Sequence, residues 1–176
     1  MLVKLGARRA EPGLVEALLE CHERIRRFTG HAARLAAAAP DDAEIRDVAA
    51  QVGRYFRESL PLHVADEEEQ VARRLAGTSP EVDRALAQME AEHAEHAPDV
   101  ARIVAICAQL EREPGRMPAL AAELAACAAR LDAAFAAHLA LEERVVFPAL
   151  ARLPAADRDA MLAALRERRD RALSAR

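Results

Sequence analysis

The chain has little of what many fold classes require. It has no tryptophan, and aromatic residues make up only 3% of its 176 residues. Strand-favouring β-branched residues are scarce, whereas alanine and leucine carry most of the 52% hydrophobic share. Because alanine, leucine, arginine and glutamate favour helices, the composition predicts an all-α fold.

Other absences narrow the function classes. The three cysteines form no C-x-x-C pair, which argues against a zinc ribbon or a disulfide framework. The net charge of −4 argues against a nucleic-acid partner. No charge-free apolar stretch is long enough to span a membrane, and residues 1–9 lack the apolar core of a signal peptide. We therefore expect a cytoplasmic protein with no membrane partner.

Proline and glycine divide the chain into long segments. Breaks occur near Pro40, at Ser79–Pro80, at Pro114–Pro118 and at Pro154. Short connections between long helices favour antiparallel neighbours. The pattern predicts an up-down-up-down four-helix bundle over residues 12–153, an N-terminal extension (1–11) and a short C-terminal helix (154–176). Pro61, Pro98 and Pro148 fall inside the long helices, where each is expected to kink the helix and free a carbonyl group.

The candidate functional residues lie in two matching five-residue motifs, His63-Val-Ala-Asp-Glu67 and His138-Leu-Ala-Leu-Glu142. On a helix, a spacing of four turns the imidazole and the carboxylate to the same face. Imidazole and carboxylate together suit iron, manganese or zinc. His22 and His93 lie on the other two helices. Residue counts from the turns place all four histidines at about the same depth, which predicts a shared metal site.

Several alternatives stay open around these residues. His96 lies one turn beyond His93 and is a further candidate ligand, whereas His31 is expected on the surface. Glu68 and Glu143 either are solvated or assist a ligand. The competing interpretation is a buried polar network without metal, which must be completely paired to be tolerated.

The two motifs and the residues around them resemble those of the hemerythrin-like (HHE cation-binding) family. The most specific stretches are Leu62–Glu69 and His138–Leu150. The resemblance implies two iron ions with an oxo or hydroxo bridge. It also implies that Glu67 and Glu142 bridge the two ions. The terminal ligands it implies are His22, His63, His93 and His138.

The resemblance also implies a ligand such as dioxygen, nitric oxide or peroxide, used for sensing, storage or detoxification. Oxygen-carrying members have His-x-x-x-His on the third helix and His-x-x-x-x-Asp on the fourth, and this chain departs from both. If His96 is not a ligand, one ion keeps an extra open position, which favours sensing or peroxide chemistry over reversible carriage. A peroxide- or nitric-oxide-reactive enzyme and an iron- or oxygen-responsive regulatory module remain alternatives.

Three further expectations concern the surroundings of the site. An apolar wall should exclude water from it. Cys107 and Cys127 lie at similar heights and form either a redox-linked pair or two inert thiols. The arginine-rich run 166–171 either docks a protein partner or is a solvated helix. The residues expected in the apolar wall are Leu18, Phe56, Phe135 and Leu141.

Overall fold

All regular elements in the described part of the chain are helices. The structure, a computed structural model, describes residues 12–39 and 43–175, so the predicted extension 1–11 lies outside the described residues. The all-α prediction is confirmed. The helices are α1 (Leu14–Ala36), α2 (residues 45–75), α3 (Pro80–Arg112), α4 (residues 117–151) and α5 (Ala155–Ser174), and a 3₁₀ turn (Pro114–Arg116) precedes α4.

Helices α2 and α4 contain π turns, in which the backbone hydrogen bonds join residues five apart instead of four. In α2 the α-helical segments are Ile45–Arg54, Leu60–Asp66 and Ala72–Leu75, joined by π turns at Tyr55–Ser59 and Glu67–Val71. In α4 the segments are Met117–Leu141 and Phe147–Ala151, joined by a π turn at Glu142–Val146.

The π turns correct the expectation that every internal proline disturbs its helix. One π turn ends two residues before Pro61 and another ends two residues before Pro148. Around Pro98, in contrast, α3 continues as α-helix. The remaining π turn begins at Glu67 and is not followed by a proline, so proline is not the only cause of these turns.

The connection between α2 and α3 illustrates how local sequence ends one helix and starts the next. Gly77 has φ of 79°, a left-handed conformation that glycine adopts without a Cβ clash. Ser79 caps α3 by accepting a hydrogen bond from the Val82 N–H at 3.2 Å, and Pro80 occupies the first helical position. This cap satisfies one of the unpaired N–H groups of the first turn.

Among the described residues, two apolar clusters fill the interior, one on each side of a polar layer; the first includes Ile25, Leu60 and Ile103, and the second includes Leu18, Val71 and Met89. Helix α1 runs from Leu18 in the second cluster to Ile25 in the first, and α2 runs from Leu60 in the first to Val71 in the second. Helix α3 repeats the direction of α1, and α4 repeats that of α2. The predicted histidines and glutamates lie where each helix passes between the clusters.

The contacts between consecutive helices have the antiparallel pattern. His22 approaches Glu67 while Phe28, further along α1, stacks on Tyr55, earlier in α2. Along α3 and α4, Glu92 approaches His138 and Arg102 approaches Glu123. These antiparallel contacts favour the up-down-up-down order, which stays a prediction beyond the all-α bundle.

The C-terminal helix packs against the bundle. Helix α5 has 20 residues and buries Met161 and Leu165 in the second apolar cluster. The arginine run is not simply solvated: Arg168 Nε donates to Asp66 Oδ1 at 2.8 Å, and Arg169 donates to Asp66 Oδ2 at 2.6 Å. Asp66, which is 0% exposed, therefore anchors α5 to α2.

Replacing Asp66 by alanine is expected to loosen α5. The change leaves two partly buried guanidinium groups without their carboxylate, and we expect a loss of about 2 kcal/mol in the free energy of unfolding. Urea unfolding measures the loss, and hydrogen exchange should accelerate within Ala155–Ser174. Asp170→Ala, an exposed position on α5, is the control. Equal stability of the two variants would contradict the anchor.

The three cysteines are buried free thiols. This favours two inert thiols at Cys107 and Cys127 over a redox-linked pair. Cys107 packs against Gly53 of α2, where an added Cβ would lie 3.0 Å from the cysteine Cβ. The Cys127 sulfur instead contacts Arg130 at 3.3 Å.

One helical stretch, Pro114–Ala151, has the length and hydropathy of a membrane span. Of its most apolar 18 residues, 39% are buried inside the bundle. The core helix of a soluble protein can be equally long and apolar. The stretch also carries buried His138 and Glu142 in its second half.

Candidate metal centre

The structure brings the six predicted site residues together between the two apolar clusters. Both glutamates are at most 1% exposed, and the His22, His63 and His138 side chains are nearly as buried. The His93 side chain is 7% exposed. Two overlapping groups have the geometry to hold a cation. The first candidate site comprises His22, His63, Glu67 and Glu142, and the second comprises Glu67, His93, His138 and Glu142.

The first candidate site is formed by α1 and α2 with one oxygen from α4. His63 Nε2 lies 3.1 Å from Glu67 Oε1, one helical turn along α2. His22 Nε2 lies 3.0 Å from Glu142 Oε2 and 3.9 Å from Glu67 Oε1. The ligand atoms all lie within 4.8 Å of one another. Ligands bound to one cation at about 2.1 Å are separated by up to about 4.2 Å, so the group is close to that size.

The second candidate site uses the other oxygen of each carboxylate. His93 Nε2 lies 3.3 Å from Glu67 Oε2, and His138 Nε2 lies 3.1 Å from Glu142 Oε1. Each glutamate therefore turns one oxygen to the first site and one to the second. Such an arrangement suits two cations joined by two carboxylates.

The facing nitrogen and oxygen atoms are close but make no hydrogen bonds. Both oxygens of Glu67 and of Glu142 are buried without a hydrogen-bond partner, as is Nε2 of His22, His63 and His93. Unpaired buried polar atoms are costly, and a complete hydrogen-bond network is what the metal-free alternative requires. These atoms therefore do not form a complete polar network. A shared cation would satisfy all of them.

The charges of the cluster depend on one another. Burial opposes protonation of His22, but Glu142 and Glu67 outweigh it and raise the pKa of His22 to about 10. Burial likewise opposes protonation of His138, while Glu142 and Glu92 raise its pKa to about 9. Without a cation, protons would therefore occupy these imidazoles at neutral pH.

Carboxylates outside the cluster orient three of the four histidines. Nδ1 of His22 lies 2.8 Å from Glu143, Nδ1 of His93 lies 3.0 Å from Glu68, and Nδ1 of His138 lies 2.8 Å from Glu92. A carboxylate on the second ring nitrogen fixes the tautomer, leaving Nε2 free for metal. The assisting role considered for Glu68 and Glu143 therefore matches the geometry.

Sequence reasoning missed two neighbours of the site. Glu92 gives no signal, because it sits next to His93 but reaches across to α4. His63 has no carboxylate on Nδ1 and faces the Cys21 thiol instead. Burial raises the pKa of that thiol, but His63 and the arginines Arg24 and Arg169 lower it to about 7 overall.

Replacing Glu92 by alanine is expected to weaken metal binding by about 10- to 100-fold, since His138 loses the partner that orients its ring. Competition with a chromophoric chelator measures the apparent affinity. Glu90→Ala, an exposed position two residues earlier on α3, serves as the matched control and should leave the affinity unchanged. Equal affinities for the two variants would contradict the orienting role.

His96 and His31 lie outside both candidate sites. The His96 ring packs against Phe135 with centroids 5.0 Å apart and against His138 at 5.3 Å. His31 is partly exposed and lies within hydrogen-bond distance of Arg34 at 2.8 Å. The geometry therefore favours four histidine ligands rather than five.

A cavity of about 350 Å³ borders the second site. Of the expected apolar wall, only Phe135 lines it; Leu18, Phe56 and Leu141 pack into the apolar clusters instead. Helix packing, which spacing along one helix does not reveal, decides which residues face the cavity. Its apolar lining includes Ile25, Leu60, Val64, Val100 and Phe135.

Comparison with known proteins agrees with this geometry. Residues 13–113, more than half of the chain, match the model of the hemerythrin HHE cation-binding domain. The chain belongs to this family. No curated protein and no solved structure matches it. The hemerythrin match ends before α4, so it includes the first motif but not His138 and Glu142; the distances above are what join the second motif to the first.

Proposed function

We propose that this hemerythrin-family protein is a cytoplasmic non-heme di-iron protein that binds dioxygen or a related small molecule. The proposed ligands are His22 and His63 for one ion and His93 and His138 for the other. Glu67 and Glu142 would each provide one oxygen to each ion. Ferrous iron would supply an open coordination position for dioxygen, nitric oxide or peroxide.

The single observation that carries the proposal is the division of each carboxylate between two groups of imidazoles. Two glutamates whose four oxygens are buried, unpaired and directed at Nε2 atoms from four helices match a two-cation site. A neutral imidazole and ionised carboxylate set is the donor chemistry of iron, manganese or zinc. The family relationship supports cation binding and leaves iron as the proposed metal.

The chain's own residues would prepare the site for such chemistry. Glu143, Glu68 and Glu92 hold three imidazoles in the tautomer that presents Nε2 to a cation. The apolar clusters on both sides exclude water, which strengthens electrostatic interactions in the layer between them. The cavity beside the second site leaves room for an exogenous molecule on that side.

The experiment is elemental analysis together with optical spectra of protein loaded anaerobically with ferrous iron. We expect two irons per chain and an absorption change when dioxygen is admitted. A change that reverses on removing dioxygen supports binding, whereas catalytic turnover of peroxide supports the enzymatic alternative. One iron or none at saturation would contradict the di-iron proposal.

A further inference from the structure

A pocket of about 220 Å³ lies between α1, α2 and α5, beside the side chain of Tyr55 (the Tyr55 pocket). Among the described residues, its lining contains two arginines but no aspartate and no glutamate. Of its lining residues, only His63 belongs to a candidate metal site. The function proposed above therefore gives this pocket no role.

Two guanidinium groups line the Tyr55 pocket from different helices. Arg24 of α1 and Arg169 of α5 each direct Nη2 at the Cys21 sulfur, at 3.5 Å and 3.6 Å. Sulfur is only a weak hydrogen-bond acceptor. Arg169 binds Asp66 through Nη1, and Arg24 Nε donates to the backbone oxygen of Glu20. Both Nη2 groups therefore lack an oxygen acceptor among the described residues.

The third donor at this pocket is the hydroxyl group of Tyr55. The residue is 7% exposed, and its ring stacks on Phe28 with centroids 4.1 Å apart. Its hydroxyl group makes no hydrogen bond to the described residues, yet its oxygen is not fully enclosed by them. A buried side chain that keeps an unpaired hydroxyl group at a pocket points to a polar group supplied from outside the chain.

The remaining lining of the Tyr55 pocket is partly apolar. Leu62 of α2 and Leu173 of α5 contribute aliphatic side chains. Leu173 is 61% exposed, so the pocket opens to solvent on this side. A ligand that suits the whole lining has an anionic head group and a short apolar chain.

We propose that the Tyr55 pocket binds a small organic carboxylate with a short aliphatic chain. The carboxylate accepts hydrogen bonds from Nη2 of Arg24 and Arg169 and from the Tyr55 hydroxyl group. Planar guanidinium groups match the geometry of a carboxylate. The aliphatic chain contacts Leu62 and Leu173. The inference does not depend on a metal ion in either candidate site.

The charges of the lining select the head group. Two guanidinium groups without a carboxylate in the lining repel a cation and attract an anion. A neutral hydroxyl group gains weaker hydrogen bonds from the same donors, because bonds to a charged acceptor are the stronger ones. An inorganic anion satisfies the donors but leaves the aliphatic side chains without a partner.

Probes that share one chain test this selection: hexanoate, 1-hexanol and hexylammonium differ in the charge of the head group, and acetate keeps the carboxylate without the chain. Ligand-observed NMR measures their affinities for the full-length protein as purified. We expect hexanoate to bind about tenfold more tightly than 1-hexanol and than acetate, and hexylammonium to bind most weakly. Equal affinities for hexanoate and 1-hexanol, or no saturable binding of hexanoate, would overturn the proposal.

Intrinsic fluorescence reports the location of the ligand. Tyr55 is the only tyrosine of the chain, which has no tryptophan, so tyrosine emission comes from this pocket alone. We expect hexanoate to change the emission with the same midpoint as the NMR titration. Saturation with hexanoate that leaves the emission unchanged would place the ligand elsewhere and would overturn the proposal.

Variants test the donors one at a time. Arg24→Gln should weaken hexanoate about tenfold and leave 1-hexanol unchanged, since only the anion depends on the charge. Tyr55→Phe keeps the ring that stacks on Phe28, and the loss of one hydrogen bond should weaken hexanoate about fivefold. Arg34→Gln, an exposed position on α1 outside the pocket, should change neither affinity. If Arg24→Gln and Arg34→Gln bind hexanoate equally well, the arginine pocket is not the site.

Discussion

Replacing Glu67 by alanine is expected to remove metal from both candidate sites at once. Its Oε1 faces His63 Nε2 at 3.1 Å and its Oε2 faces His93 Nε2 at 3.3 Å, so one side chain serves both groups. We expect the iron content after anaerobic loading to fall from two equivalents to nearly none. Elemental analysis on protein whose helicity is intact by circular dichroism measures the change.

The contrast with a terminal ligand makes this prediction specific to a bridging role. His63→Ala removes a nitrogen from the first site alone, so up to one equivalent should remain bound at the second. His138→Ala should have the complementary effect, and His31→Ala should retain both equivalents. If Glu67→Ala and His63→Ala retain the same nonzero amount of iron, Glu67 does not join the two sites.

The depth of the site could be predicted from the sequence because helical rise is uniform. His22, His63, His93 and His138 lie at matching distances from the breaks between segments, and four antiparallel rods of constant rise carry matching distances to a common level. The spacing of four in each motif then places Glu67 and Glu142 on the same faces as their histidines. The structure brings all six together; their binding of metal stays a prediction.

The surroundings of the site could not be predicted in the same way. Which side chain reaches Nδ1 of a histidine depends on helix rotation by a few tens of degrees, which spacing along one helix does not fix. Glu92 and Asp66 each adjoin a candidate ligand, yet they reach α4 and α5 instead. The same limit applies to His96, which shares a face with His93 but packs on Phe135.

The π turns could not be predicted from a hydrophobic pattern with a period of 3.6 residues. Both bridging candidates, Glu67 and Glu142, are the first residues of π turns. Of these two turns, only the one at Glu142 precedes a proline, so proline does not account for both. Single π turns inside α-helices are frequent at functional sites, and these two occur where each helix carries a carboxylate into the polar layer.

Metal-free protein is expected to lose stability as the pH rises from 7 to 9, while metal-loaded protein is not. In the folded metal-free state, the pKa of His22 is about 10 and that of His138 about 9, against 6.5 when exposed. A raised pKa gives stability that is fully present below pH 6.5 and is lost as the pH rises through the folded value. Each such imidazole contributes up to about 1.4 kcal/mol per pH unit in that window.

The loaded protein should behave in the opposite way, because a cation needs neutral imidazoles and competes with protons for them. Raising the pH removes the competing protons, so the stabilisation by metal should grow between pH 7 and pH 9. At a free metal concentration 100-fold above its dissociation constant, that stabilisation is about 2.7 kcal/mol. Urea unfolding at pH 7 and 9, with and without metal, measures both trends.

The Cys21 thiol requires a correction in this experiment. Its lowered pKa of about 7 gives stability that grows with pH over the same range, opposite in sign to the histidines. The measurement is therefore made in Cys21→Ser as well as in wild-type protein, and the decline should be steeper in the variant. His31→Ala in the same background should leave the slope unchanged. A metal-free Cys21→Ser protein whose stability rises with pH would show that the imidazoles do not hold protons against Glu67 and Glu142.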